Sequence, residues 1–178
     1  MLIRNIPLKV KPICGLIYRD RNVYLKTKIK LKNYLGAIDY ESKEIPFNFT
    51  DYYNKEMGKP LFRRFLSFKN LRKSEEFPKI KLYCIRIEKR LSIKGKRTVN
   101  IDPGYINFAK LVLFTTKDFS HRLHIKNGIY AEVTLQYRKK DFVPFEWTYP
   151  DYQTEIYKSI FREIRNIYVN QISKKSSL

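Results

Sequence analysis

The dipeptide Asn127-Gly128 constrains this chain most, because Asn-Gly between two alternating apolar stretches is a strong β-hairpin signal. It separates residues 119–125 from 129–137. A two-residue loop would pair Ile125 with Tyr130 and Leu123 with Glu132, setting an apolar face against a polar one. A three-residue loop of Lys126, Asn127 and a left-handed Gly128 resolves the conflict. It pairs Ile125 with Ile129, Leu123 with Ala131, His121 with Val133 and Phe119 with Leu135 on a core face. The opposite, polar face then carries His124/Tyr130, Arg122/Glu132, Ser120/Thr134 and Asp118/Gln136. A slip of one residue would invert every side chain, so the core face selects the three-residue register. The cross-strand ion pair of Arg122 with Glu132 agrees with it.

Other segments follow from periodicity. Residues 12–18 form a short apolar run between Pro12 and Arg19-Asp20, as in a buried strand. Residues 22–35 alternate apolar residues with lysines, which suits a strand. Yet Tyr24, Leu31 and Leu35 share a helical face and Gly36 is a good stop, so a helix is preferred. Residues 40–49 read as extended, with Pro46 indicating a sheet edge, and 61–68 as another strand. Ser74-Glu75-Glu76 makes a helix start, and Ile80, Cys84, Ile87 and Leu91 carry that helix to about Ser92. A strand resumes at 98–101. For the stretch after it two readings stand: Asp102-Pro103 as a helix N-cap and first turn, or 109–116 as a strand leading into the hairpin, the latter preferred. An apolar stripe from Ile156 to Ile172 marks the clearest helix. The expected whole is one α+β domain over residues 1–172 with a frayed tail at 173–178. Its single, mainly antiparallel sheet has about five to seven strands, with two or three helices packed on one face.

Charge is unevenly distributed. The formal charge is +20, yet residues 101–156 hold seven Lys+Arg and seven Asp+Glu. The excess sits at 1–35 (nine basic, one acidic) and 59–100 (fourteen basic, three acidic). A potential this positive suits a polyanion such as nucleic acid. Composition offers a second source: Lys, Ile, Asn, Tyr and Phe, all with A/T-rich codons, make up 81 of 178 residues, against three Ala. Lysine (24) also outnumbers arginine (13), whereas phosphate forks favour arginine. Nucleic acid is therefore kept as a partner but not preferred. No apolar run nears the ~20 residues of a membrane span, and residues 1–9 lack a signal-peptide core, so the cytoplasm is expected. Cys14 and Cys84 lack metal-ligand spacing and read as buried free thiols.

The neutral block holds most of the candidate chemistry. Asp102, Asp118 and Glu132 are candidate ligands for a divalent cation, the one cofactor the sequence suggests. His121 and His124, three apart on a strand, face opposite ways and cannot act as a zinc pair. His124, on the polar face, is the candidate acid–base group, with Asp118 beside it. Residues 50–53 and 147–152 mix aromatics with Asp51 and Asp151 in loops, suited to stacking a base or to packing as lids. Arg63-Arg64, between Phe62 and Phe65, alternates in a strand, so one of the two faces inward and needs an acidic or phosphate partner. The chain lacks a Walker loop, a dinucleotide fingerprint and a nucleophile elbow.

Six segments carry a resemblance: PFNFTDYYNKEMG (46–58), RRFLSF (63–68), GKRTVNIDPGY (95–105), AKLVLFTTKDFSHR (109–122), GIYAEVTLQY (128–137) and WTYPDY (147–152). The chain resembles a family of uncharacterised bacterial proteins of about this length, a domain of unknown function whose members are sometimes labelled GTP-binding. The resemblance implies a bacterial protein of the cytoplasm with its site around these segments. The phosphate loop and N/T-K-x-D motif behind a GTP label are missing, since Thr116-Lys117-Asp118 lacks the spacer. The expected function is a binding module for a phosphorylated or nucleotide-like ligand. Lys117 and Arg122 would neutralise phosphate, Tyr53, Tyr130 or Trp147 would stack, and Asp51 and Asp151 would complete the cleft. The alternatives are a metal-dependent enzyme on a phosphorylated substrate and a nucleic-acid-binding protein.

Overall fold

A computed structural model describes residues 9–176, the side chains of 175 and 176 excepted. The signal-peptide reading, at the N-terminus, falls almost entirely outside that range. Nine strands form one sheet: β1 (Lys11–Tyr18), β2 (Ile38–Glu41), β3 (Ile45–Pro46), β4 (Phe62–Phe68), β5 (Val99–Ile106), β6 (Lys110–Thr115), β7 (Leu123–Lys126), β8 (Ile129–Arg138) and β9 (Asp141–Pro144). The helices are α1 (Arg21–Leu35), α2 (Asn54–Met57), α3 (Phe77–Leu91) and α4 (Glu155–Ser176). The strand order is β2-β4-β1-β5-β6-β8-β7, with β3 also on β4 and β9 also on β8. All these pairings are antiparallel, so the α+β class and the antiparallel sheet are as read from the sequence.

The helices lie on both faces of the sheet, which corrects the expectation of one. Strand alternation explains it. Cys14, Leu16 and Tyr18 of β1 and Leu66 and Phe68 of β4 point to one side, where they pack with Leu31 and Leu35 of α1 and Ile80 and Cys84 of α3. Ile13, Phe65, Ile106, Leu111 and Leu135 point to the other, where they meet Tyr157, Ile160, Phe161 and Ile164 of α4. Both faces of the central strands are apolar, so a single helical layer would leave one of them wet.

Several local choices are dictated by single residues. Asp20 caps α1 by accepting Asn22 N–H at 2.7 Å. Gly36 ends it at φ 101, a left-handed value that glycine adopts without strain. The alternative helix at 102–103 does not form; β5 runs straight through Asp102-Pro103-Gly104. β6 pairs only Gly104–Ile106, so Pro103 lies just past that ladder, where a missing N–H is tolerated. A Cβ on Gly104 would sit 2.2 Å from the Val112 carbonyl oxygen, so the close approach of β6 requires glycine there. Further along β5, α3 meets both main-chain groups of Ile101. Lys81 Nζ donates to its carbonyl at 2.9 Å, and Glu88 accepts its N–H at 2.6 Å. That accounts for two buried charged side chains.

The hairpin departs from its expected form. Asn127 (φ 55) and Gly128 (φ 70) make a two-residue turn, and Lys126 pairs with Ile129. A bulge at Ile125 absorbs the extra residue, so Leu123/Ala131 and His124/Tyr130 keep the expected register. β7 is shorter than expected, and residues 119–122 form a turn. Its supposed core face is bare: Leu123 is 73% and Ile125 45% exposed, because β7 is the sheet's last strand with no helix over it. At the C-terminus, α4 continues to Ser176, past the end of the apolar stripe at Ile172, so the tail expected to fray from 173 is helical that far. No described helix is long and apolar enough to cross a membrane.

Candidate functional site

On the α4 side, beyond the first turn of α4, the sheet is left uncovered, and a cavity of about 430 Å³ opens there. Its floor is built from inward-pointing residues of β4, β5, β6 and β8: Arg63, Asp102, Leu113 and Glu132. Two loops wall it, one with Phe49, Tyr52 and Tyr53, the other with Tyr149, Asp151 and Tyr152. The second loop is pinned to β8. Trp147 Nε1 donates to Val133 O at 3.0 Å, and Thr148 Oγ1 donates to Thr134 O at 2.6 Å. A 3-10 turn at Pro150–Gln153 then turns Asp151 inward. Thr154 accepts the Tyr157 N–H at 3.4 Å and starts α4.

Arg63 is the inward arginine of its pair, and it is buried. It donates to Asp102 at 2.9 Å through Nη1 and to Asp151 at 3.1 Å through Nη2. Its guanidinium carbon lies 5.1 Å from the Phe47 ring centre and 5.7 Å from that of Tyr152. Burial opposes this charge, but the surrounding Tyr152, Asp102, Tyr157 and Asp151 more than offset it, and the pKa is raised. Burial also pushes the Asp151 carboxyl above the usual range, against the pull of Arg63. The Tyr157 hydroxyl is pushed up to about 12, chiefly by burial. Arg63 Nε and the Tyr152 and Tyr157 hydroxyls are buried without a hydrogen-bond partner. A chain of side chains runs outward from the floor: Asn100 Nδ2 donates to Asp102 at 2.9 Å, Arg97 Nη1 to Asn100 at 3.0 Å, and Arg97 Nη2 to Glu56 at 2.6 Å. Through Glu56, this chain fixes α2 and hence Tyr53.

A second cluster surrounds Glu132, which is buried. Arg122 Nε donates to it at 2.7 Å, His121 Nε2 lies 3.1 Å away, and Thr134 Oγ1 donates at 3.2 Å. Arg122 also donates to Tyr149 Oη at 2.7 Å and to Lys117 O at 3.1 Å, bridging the hairpin turn to the aromatic loop. Lys117 Nζ lies 4.3 Å from the Tyr52 ring centre and donates to its hydroxyl at 3.0 Å. That hydrogen bond holds the Tyr52 pKa below its ordinary value. Every carboxylate on the floor thus has an arginine. Lys117, at the rim, is the lining cation with no carboxylate partner among the described residues.

The structure gathers Tyr53, Lys117, Arg122 and Asp151 from the expected ligand set. It leaves others outside. Asp51 is exposed and paired with Lys59 at 3.1 Å. Tyr130 packs edge-on against His124 beside the hairpin turn. Trp147 stacks between Phe145 and His121, at 4.7 and 5.4 Å, and braces the wall from behind. The candidate acid–base residues are also misplaced: His124 accepts the Gly128 N–H at 3.3 Å on the exposed hairpin, and Asp118 is exposed. The three-carboxylate metal site does not assemble. Asp102 serves Arg63, Glu132 serves Arg122, and Asp118 is exposed; among the described residues no group of three or more His, Cys, Asp or Glu could hold a metal ion. Nor do Ser120 and Thr134 form the floor, since Ser120 is exposed and Thr134 is sealed beneath the 145–149 segment. Sequence reading missed Phe49, Tyr52, Tyr149 and Tyr152 as individual walls, although it singled out both loops.

The fold and the cavity define an antiparallel α+β protein with a small-molecule-sized recess at the uncovered end of one sheet face. Residues 8–168 of the 178-residue chain match the model of a domain of unknown function, DUF4416, and the chain belongs to that family. No curated protein and no solved structure matches it.

Proposed function

We propose that the cavity binds a small phosphorylated, nucleotide-like ligand, with its planar ring among the tyrosines and its phosphate at Lys117 and Arg122. One observation carries the reading: about 430 Å³ of recess joins an aromatic wall to a rim lysine that lacks a carboxylate partner. The volume lies within the range of ordinary ligand sites. Aromatic faces accept any base, and the lysine adds a point charge for phosphate. Arg63 is already held by two aspartates, so its part is to keep the floor rigid.

The test is thermal unfolding of the full chain against nucleoside mono- and diphosphates and inorganic phosphate. A ligand at about a hundred times its Kd stabilises by about 2.7 kcal/mol. The expected result is a concentration-dependent rise in Tm for at least one nucleotide, lost in Arg122→Ala and Lys117→Ala. No shift with any of these compounds would overturn the reading.

A further inference from the structure

The opposite side of the molecule carries a second recess, of about 230 Å³, between α1 and α3. Lys30, Arg86 and Arg90 line it, with Tyr83 and Ile87. Tyr83 stacks on Tyr34 with ring centres 4.0 Å apart, and the Arg86 guanidinium lies 5.6 Å from the Tyr83 ring centre. Elsewhere α1 and α3 display exposed Lys26, Lys32, Lys79 and Lys89. The one acid within either helix is Glu88, which is buried and engaged by the Ile101 N–H. The acids at the helix ends are committed too: Asp20 caps α1, and Glu76 accepts from Arg72 and from the Lys73 N–H.

The arginines make this surface more than a share of the chain's general lysine excess. Arg21, Arg63, Arg64, Arg72, Arg97, Arg122 and Arg162 are all in ion pairs. Among the described residues Arg19, Arg86, Arg90, Arg138 and Arg165 have no such pair, and of these only Arg86 and Arg90 share a helix on adjacent turns and line one recess. Two free planar forks about one helical turn apart, facing a lysine across a groove with an aromatic wall, suit successive phosphates of a strand.

We propose that the α1/α3 groove binds single-stranded nucleic acid through its phosphodiester backbone, with Tyr83 and Tyr34 offering a stacking edge. α1 also exposes Leu25 and Ile29 beside its lysines, as a bilayer would require, but the two arginines line a recess on α3, which favours a strand. The site is separate from the cavity on the α4 side and does not depend on what binds there.

The experiment measures fluorescence anisotropy of labelled mixed-sequence single-stranded RNA and, in a second arm, DNA, titrated with the full chain from about 50 to about 200 mM salt. Binding to either strand type is expected to weaken steeply with salt; a preference for RNA or DNA identifies the source of the strand. Arg86→Ala/Arg90→Ala is expected to weaken binding about tenfold or more and to flatten the logarithmic salt slope by about 1.4, which is two single-strand phosphate contacts. Lys117→Ala should bind like the wild type. Both arginines are exposed, and circular dichroism verifies that the double variant is folded. The proposal is overturned if neither strand binds at low salt, if the double variant binds as tightly as the wild type, or if the same substitutions abolish binding to phosphatidylserine vesicles while the nucleic-acid arms stay flat.

Discussion

The two faces of the sheet are covered differently. On one, α1 and α3 lie across the strands, and the residues beneath them are Cys14, Leu16, Leu66, Ile101, Val112 and Phe114. On the other, α4 covers Ile13, Phe65, Ile106 and Leu135 and then stops. Beyond its first turn the same strands carry Arg63, Asp102 and Glu132 in place of aliphatics, roofed only by aromatic loops. A buried charge is costly unless paired, so a chain that only needed a second core could have continued α4's apolar seam over these positions. The difference teaches that the recess coincides with the end of the helical cover.

The sharpest way to break this comparison is at Arg63. Arg63→Met leaves Asp102 and Asp151 facing each other without a cation, and an expected loss of about 3–5 kcal/mol should appear in urea unfolding. Leu66→Ala, three residues along β4 and on the covered face, is expected to cost about 2–5 kcal/mol and to leave nucleotide binding intact. A loss of binding in Leu66→Ala with the fold preserved would show that the two faces are not independent. Arg122→Ala strips Glu132 of its closest donor and should cost about 1–3 kcal/mol while abolishing the nucleotide-dependent rise in Tm.

A pH test concerns the sheet edge opposite the hairpin. Burial opposes ionisation of Glu41, but hydrogen bonds from Lys28 and Tyr24 hold its pKa below the ordinary glutamate value of 4.5. A depressed carboxylate contributes stability that is present above 4.5 and lost as the pH falls through the lowered folded pKa. Glu41→Gln should therefore flatten the stability–pH profile below that value, read by urea midpoints. The smallest effect is expected at the bare hairpin: Leu123→Ser and Ile125→Ser should each stay within about 0.5 kcal/mol of wild type.

What was legible in the sequence follows from periodicity. The stripe of Ile156, Tyr157, Ile160 and Phe161 and that of Ile80, Cys84 and Ile87 announce helices, and strand alternation alone says that one of Arg63 and Arg64 turns inward, though not which. What failed was tertiary. Apolar alternation at Leu123 and Ile125 implies a core face only if something covers it, and no local signal says that β7 ends the sheet. The two-residue turn needed a bulge at Ile125 that alternation cannot encode. The site was partly legible because Lys117, Arg122 and the 147–152 loop sit in the charge-neutral block. The pairings that spoil a metal site, Arg63 with Asp102 and Asp151, join β4 to β5 and to the turn before α4 across long sequence separations.

The most direct test of the account is a nucleotide titration of the isotopically labelled chain followed by amide chemical shifts. The account predicts saturable shifts confined to the cavity, at Tyr52, Tyr53, Lys117, Arg122 and the 149–152 turn, with α1 and α3 silent. Shifts confined to α1 and α3, or no saturable shifts at all, would contradict it.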